Sequence, residues 1–213
     1  RIVKAKRPIR IRDLMTHTAG IGYGFGPASN LWKKADLQGW YFAHKDEPIL
    51  ESIRKMAKLP MEAHPGEAYV YGYNTDILGA VIEVVSGQPL DVFLKERILD
   101  PLGMVDTHFY LPKQKTSRLS VVYNQEDYEL VRAEENGDDG SSEHEVTQGH
   151  YVNGPRKSFS GGAGLLSTSS DYAKFLQMLL NGGVYNDHRL LSRKSVELMT
   201  ADHMNGDHYE GVR

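Results

Sequence analysis

Tyr71 is the side chain in this sequence best placed to move a proton. It sits in the run Pro65-Gly66-Glu67-Ala68-Tyr69-Val70-Tyr71-Gly72-Tyr73-Asn74-Thr75-Asp76-Ile77-Leu78-Gly79. A Pro-Gly turn precedes alternating aromatic and small residues, and then polar residues that can cap a helix. Tyr71 therefore falls on an irregular segment just ahead of a helix N-terminus. From such places a rigid element aims loop side chains into a pocket. A phenol titrates near ~10 when unperturbed, so a base role requires cationic neighbours that favour the phenolate. The competing reading is a half-buried ring with a satisfied hydroxyl, one of 12 Tyr in the chain. Other chemistries find less support. The absence of Cys excludes disulfides, thiolate metal sites and a cysteine nucleophile. The 9 His form no His-x-x-x-His or His-Glu-x-x-His pair. His144 and His150 fall on polar loops and His203 and His208 on a polar tail, so surface histidines are expected, with no metal and no cofactor. No Gly-x-Ser-x-Gly elbow occurs.

The Tyr71 run resembles the second motif of the serine hydrolases built on the penicillin-recognising fold: class C β-lactamases, D-alanyl-D-alanine peptidases and family VIII esterases. That pattern is Pro-Gly, four residues, the catalytic Tyr, and a Leu-Gly in the following helix. Two further stretches match in the family's order. Asp13-Leu14-Met15-Thr16-His17-Thr18-Ala19-Gly20 is similar to its Leu-Leu-Thr-His-Thr-Ser-Gly segment. Ser160-Gly161-Gly162-Ala163-Gly164-Leu165-Leu166-Ser167-Thr168, leading into Asp171-Tyr172-Ala173-Lys174-Phe175, is similar to its glycine-rich segment and the helix after it. Val85-Ser86-Gly87-Gln88-Pro89-Leu90 and Asp100-Pro101-Leu102-Gly103-Met104-Val105-Asp106-Thr107 also match, so the resemblance runs from about Ile9 to Met199.

The resemblance implies acyl transfer by a Ser in Ser-x-x-Lys, where one helical turn sets the ammonium beside the hydroxyl. A Tyr serves as partner base, and a later Lys-Thr-Gly or His-x-Gly strand completes the pocket. Tyr71 takes the catalytic Tyr position. The first motif belongs upstream of Thr16, yet residues 1–28 contain no Ser. Nothing after Met199 reads as the third motif. Ser52-Ile53-Arg54-Lys55 is a literal Ser-x-x-Lys, but it sits inside an amphipathic segment on the wrong side of Thr16-His17-Thr18. Lys115-Thr116-Ser117 imitates Lys-Thr-Gly, but lies where the family has a linker. The isolated chain is therefore expected to be inactive, its nucleophile lying outside it.

One departure bears on substrate. Two residues after the catalytic Tyr, β-lactamases and peptidases carry an Asn that holds the substrate amide. Here that position is Tyr73, with Asn74 displaced by one. Tyr71 through Asp76, Leu78 and Gly79 instead looks like the esterase branch's Tyr-x-x-x-x-Asp-x-Leu-Gly. An aromatic ring at that position favours an apolar acyl or alkyl group. Tyr73 and Asn74 are thus expected to contact substrate, with Tyr23 and Phe25 extending the same wall. His17 is assigned to structure, its ring hydrogen-bonded to backbone. Gly161 to Gly164 are expected to permit close backbone approach near the site.

The elements that must position these residues read as mainly helical, the helical portion of a β-lactamase/transpeptidase-like fold whose parent is α+β. A helix is expected from Asn74 or Thr75 to Ser86, with Ile77, Leu78, Val81, Ile82 and Val85 as its buried stripe. Another begins at Pro89 and stops at Asp100-Pro101. Ser169 or Ser170 caps a third, ending at Gly182, and Ser192 caps a fourth with Val196 and Met199 inward. Residues 47–59 are amphipathic. A hairpin is expected to pair Leu119–Val122 with Tyr128–Val131.

At 213 residues the chain suits one domain. A net charge of −3 gives no reason to expect nucleic acid, and no apolar run reaches the ~20 residues of a membrane span. Segment 134–145, with its 6 acidic residues, reads as a flexible loop. The chain starts without Met and reads as a piece of a longer protein, whose partners would be a small ester or β-lactam substrate and the missing α/β portion. The alternatives are a β-lactamase or carboxypeptidase, or a non-catalytic binding or scaffolding module without its nucleophile.

Overall fold

The computed structural model describes residues 2–39, 42–132 and 149–203; the acidic segment 134–145 lies outside the described residues. Four helices form the first half: α1 (Ile11–Met15), α2 (Ser29–Lys34), α3 (Ile49–Met56) and α4 (Asn74–Ser86). A continuous helical run follows, α5 (Leu90–Leu94), a π turn (Lys95–Leu99) and α6 (Asp100–Leu102), and then a 3-10 helix (Lys113–Arg118). The strands β1 (Tyr123–Glu126) and β2 (Glu129–Arg132) precede α7 (His150–Asn153) and α8 (Ser169–Leu180). The minimal hairpin β3 (Val184–Tyr185) and β4 (His188–Arg189) leads to α9 (Arg193–Thr200). No single helix among the described residues is long and apolar enough to cross a membrane.

Several expected boundaries hold for their physical reasons. Helix α4 spans Asn74–Ser86 and stops at Gly87 with φ 70°, where a Cβ would be strained. Ser192 caps α9 by accepting the Ser195 amide at 3.0 Å. Other boundaries move. Thr168, not Ser169 or Ser170, caps α8 by accepting the Asp171 amide at 3.2 Å. Asp100-Pro101 does not end its helix, which continues to Gly103 in the left-handed region. Pro101 lacks an N–H and its ring would crowd the carbonyl four residues back; the π turn just before it loosens the backbone there. The hairpin turns at Asp127 and Tyr128, both at positive φ, so its first strand is Tyr123–Glu126 and not Leu119–Val122.

The main core gathers Leu14, Ile21, Trp32, Phe42, Ile49, Met56 and Tyr73 between α1, α2, α3 and α4. Trp32 Nε1 donates to Pro60 O at 2.9 Å, so the indole is both packed and satisfied. A second cluster joins Ala43, Leu90, Phe109, Tyr110 and Tyr151, and a third joins Leu99, Leu102, Met104 and Met178. Asp171, buried in the first turn of α8, accepts the Asp106 amide at 2.7 Å and the Thr107 hydroxyl at 3.1 Å, fastening α8 to the segment after α6.

Apolar side chains left outside these cores form stripes. Tyr172, Leu176 and Leu180 recur every fourth residue along α8 and are exposed, Leu180 by 81%. Val84 and Val85 at the end of α4 are exposed too, and Met199 of α9 does not face inward as expected. An exposed apolar stripe such as that of α8 marks a face that associates. The 213-residue chain is expected to bind a hydrophobic dye and to self-associate in sedimentation. A compact monomer that binds no dye would contradict this.

Candidate active site

Tyr71 is carried by a segment tied at several points to the residues after α1. The amides of Glu62, Gly66 and Val70 donate to the carbonyls of Gly20, Thr18 and His17 at 2.8, 2.7 and 2.8 Å. Gly72 is required by this contact, since a Cβ there would lie 2.3 Å from Ile21 O and 2.4 Å from the Gly22 carbonyl carbon. The backbone on either side of Tyr71 is thus fixed, while its side chain stands 63% exposed. Its ring stacks on His17, centroids 5.0 Å apart at 24°, and meets Tyr23 edge-on at 5.6 Å. Burial, and next the neighbouring Tyr71 phenol, push the Tyr23 phenol well above its ordinary range. Tyr23 therefore stays protonated beside Tyr71 at neutral pH. Phe25 is exposed on the same glycine-rich loop as Tyr23.

Tyr73 and Asn74 are elsewhere. Tyr73 is 1% exposed, its ring among Tyr23, Trp32 and Phe42 at 5.0, 6.1 and 5.3 Å and its hydroxyl donating to Leu37 O at 3.0 Å. Tyr73 has φ −66° and ψ 13°, already turning into α4, and its ring lies inward while that of Tyr71 points out. Asn74, fully buried, spends its amide nitrogen on Ile21 O, Val70 O and His17 Nδ1. The direct substrate contact expected of these two is therefore corrected: both stand behind the surface that Tyr71 presents. The His17 ring, expected to bond backbone, bonds the Asn74 side chain instead.

The sequence decoys resolve cleanly. Ser52 is fully buried, and its hydroxyl donates to Glu47 Oε1 at 2.7 Å while Lys55 pairs with Glu47 Oε2 at 2.6 Å. A carboxylate thus stands between the Ser and the Lys, and neither activates the other. Lys115 is engaged by Asp106 at 2.8 Å on the 3-10 helix.

One element of the region went unsingled in the sequence. Asp76, in the first turn of α4 and 1% exposed, accepts the Ser160 hydroxyl. Ser160 Oγ in turn accepts the amides of Gly162 and Ala163, both at 3.1 Å. Here the glycine run makes the close backbone approach expected of it. A Cβ on Gly161 would lie 2.3 Å from Thr75 O, and one on Gly79 would lie 2.9 Å from Gly161 N. A buried acid at the start of a helix, matched to a Ser-Gly-Gly run, is the signal that could have found this clamp.

Burial pushes the Asp76 carboxyl up to about 6, against the opposing pull of the Ser160 hydroxyl and backbone amides. A carboxyl whose folded value is raised favours the folded state below its unfolded value and loses that contribution as pH rises through about 6. The loss from pH 4 to 7 is about 2 kcal/mol at this group. Asp76→Asn should therefore gain on the wild type as pH rises over that window, followed by urea midpoints. A stability difference that does not change with pH would show that the carboxyl titrates normally.

This arrangement belongs to a known lineage. The chain matches the family model described as Beta-lactamase over residues 3–212. It is 33% identical to Protein Rv1367c of Mycobacterium tuberculosis over 94% of this chain and 46% of the relative. It is 30% identical to the lovastatin esterase of Penicillium rubens over 93% of this chain and 45% of the relative. Among solved structures it resembles EstCE1, a hydrolase with promiscuous acyltransferase activity. That match has a TM-score of 0.73 and 25% identity, and covers 91% of this chain and 50% of EstCE1. The chain spans about half the length of the curated relatives it matches. With its fixed, outward-facing Tyr71 segment and a family match across nearly its whole length, this chain belongs to the Beta-lactamase family.

Proposed function

We propose that this chain is the central, largely helical part of a serine hydrolase working through an acyl-enzyme, an esterase rather than a β-lactamase, with Tyr71 as its proton-transfer residue. The observation that carries this reading is Tyr71 itself, exposed on a backbone held rigid on both sides. Tyr23 and Phe25 supply an apolar wall for an acyl or alkyl group, and Tyr73 and Asn74 support the wall from behind. The likeness to a lovastatin esterase and to EstCE1 favours ester chemistry. Residues 1–213 form one domain, packed against an α/β portion in the remainder of the protein. That remainder brings the Ser-x-x-Lys nucleophile and the lysines that would stand beside Tyr71 during proton transfer.

The test uses a chain extended to the length of its relatives, assayed on short-chain p-nitrophenyl esters and a chromogenic cephalosporin. The ester should be turned over faster; preference for the cephalosporin would overturn the esterase reading. The 213-residue chain should gain no stoichiometric fluorophosphonate adduct, and labelling of any Ser in it would sink the placement of the nucleophile.

A further inference from the structure

We propose that His17 is a positioning residue for Tyr71, its imidazole held in the Nε2–H tautomer by Asn74 and serving as the plate on which the phenol ring is set. Three independent features of the structure meet at this residue. The first is the backbone: His17 has φ 53°, in the left-handed region that favours glycine. A Gly would sit there without strain, whereas His17 carries a conformational cost. The second is the double tie to the Tyr71 segment. The His17 carbonyl accepts the Val70 amide at 2.8 Å, one residue before Tyr71, and the ring stacks on Tyr71 itself.

The third is Asn74. Its amide nitrogen lies 3.2 Å from both Ile21 O and Val70 O, and two carbonyls can be met only by a donor. The same nitrogen faces His17 Nδ1 at 3.1 Å; it has no lone pair to accept a ring N–H and shares its two hydrogens among three acceptors, so the geometry assigns Nδ1 as an acceptor and the ring proton to Nε2. Turning the amide over would set Oδ1 against both carbonyls. The amide is held as it is even though its Oδ1 is buried with no hydrogen-bond partner among the described residues. The titratable groups facing the imidazole are the phenols of Tyr69 and Tyr71, at 5.8 and 5.0 Å. Burial lowers the His17 pKa, consistent with a ring that is neutral at neutral pH.

The consequence for catalysis rests on the role proposed above for Tyr71, but the geometry is testable without turnover. Long-range proton–nitrogen NMR of the labelled 213-residue chain at pH 8 should show an unprotonated Nδ1 and a protonated Nε2 for His17. A protonated Nδ1, or nitrogens averaged between tautomers, would overturn the proposal. His17→Asn tolerates the left-handed backbone and removes the plate. In that variant the Tyr71 ring signals should move downfield toward those of a free tyrosine, while the Trp32 indole N–H, bonded to Pro60, stays in place as the folding control. Unmoved Tyr71 signals in a folded variant would also overturn it, and should the variant not fold, the wild-type tautomer decides alone. If these hold while Tyr71→Phe leaves turnover intact in the extended protein, the positioning stands and the catalytic reading of Tyr71 fails.

Discussion

Replacing Tyr71 with Phe in the extended protein should lower kcat by about two to four orders of magnitude, the range for losing a positioned general acid or base. KM should move little. The ring would keep its stacking on His17 and its edge contact with Tyr23, and its backbone ties would be untouched. Only the hydroxyl is lost, so an effect confined to kcat isolates the proton transfer from the packing. Steady-state kinetics on p-nitrophenyl butyrate suffices. A kcat within a few-fold of wild type would remove Tyr71 from the chemistry.

The second large effect falls on stability. Tyr73→Asn should destabilise the chain by about 3–5 kcal/mol, as for other truncations of buried aromatic residues. The substitution empties a space between Trp32, Phe42 and Tyr23, and it leaves the Leu37 carbonyl without its donor. Tyr73→Phe, which removes only the hydroxyl, should cost about 1 kcal/mol. Neither should alter which acyl groups are accepted except through loss of fold. Urea titrations of the two variants measure this directly. A Tyr73→Asn protein of near-normal stability with changed acyl preference would return Tyr73 to the substrate wall.

Tyr73 also shows where reading the sequence stopped. The alternation Tyr69, Tyr71, Tyr73 marks a half-exposed segment, but period alone cannot say where an extended chain turns into a helix. That turn begins by Tyr73, whose ring faces inward while that of Tyr71 faces out. Helix α4 itself was legible to its last residue, because Gly87 supplies a stop with a steric cause. Its buried face was legible only in part. The expected stripe of Ile77, Leu78, Val81, Ile82 and Val85 assumed that apolar residues mark the inside. Ile77, Leu78 and Ile82 of that stripe do pack, partly buried, against the cores, but the fully buried positions are Asn74, Asp76, Gly79 and Ala80, of which Asp76 and Gly79 meet Ser160 and the backbone of Gly161. Val85 is 81% exposed. Hydrophobic periodicity finds faces that pack by area and misses those that pack by close approach. The family motifs placed Tyr71 correctly on an irregular segment before a helix. The His17–Asn74 pair behind it joins residues 57 apart in sequence, and no local pattern joins them.

The central claim, that Tyr71 activates a serine nucleophile, is tested most directly by intact-mass kinetics with a fluorophosphonate on the extended protein. Wild type should gain a single adduct on one Ser, and Tyr71→Phe should gain it at least about 100-fold more slowly, because the attacking hydroxyl loses its base. Equal labelling rates in the two proteins would contradict the assignment of Tyr71 as that base.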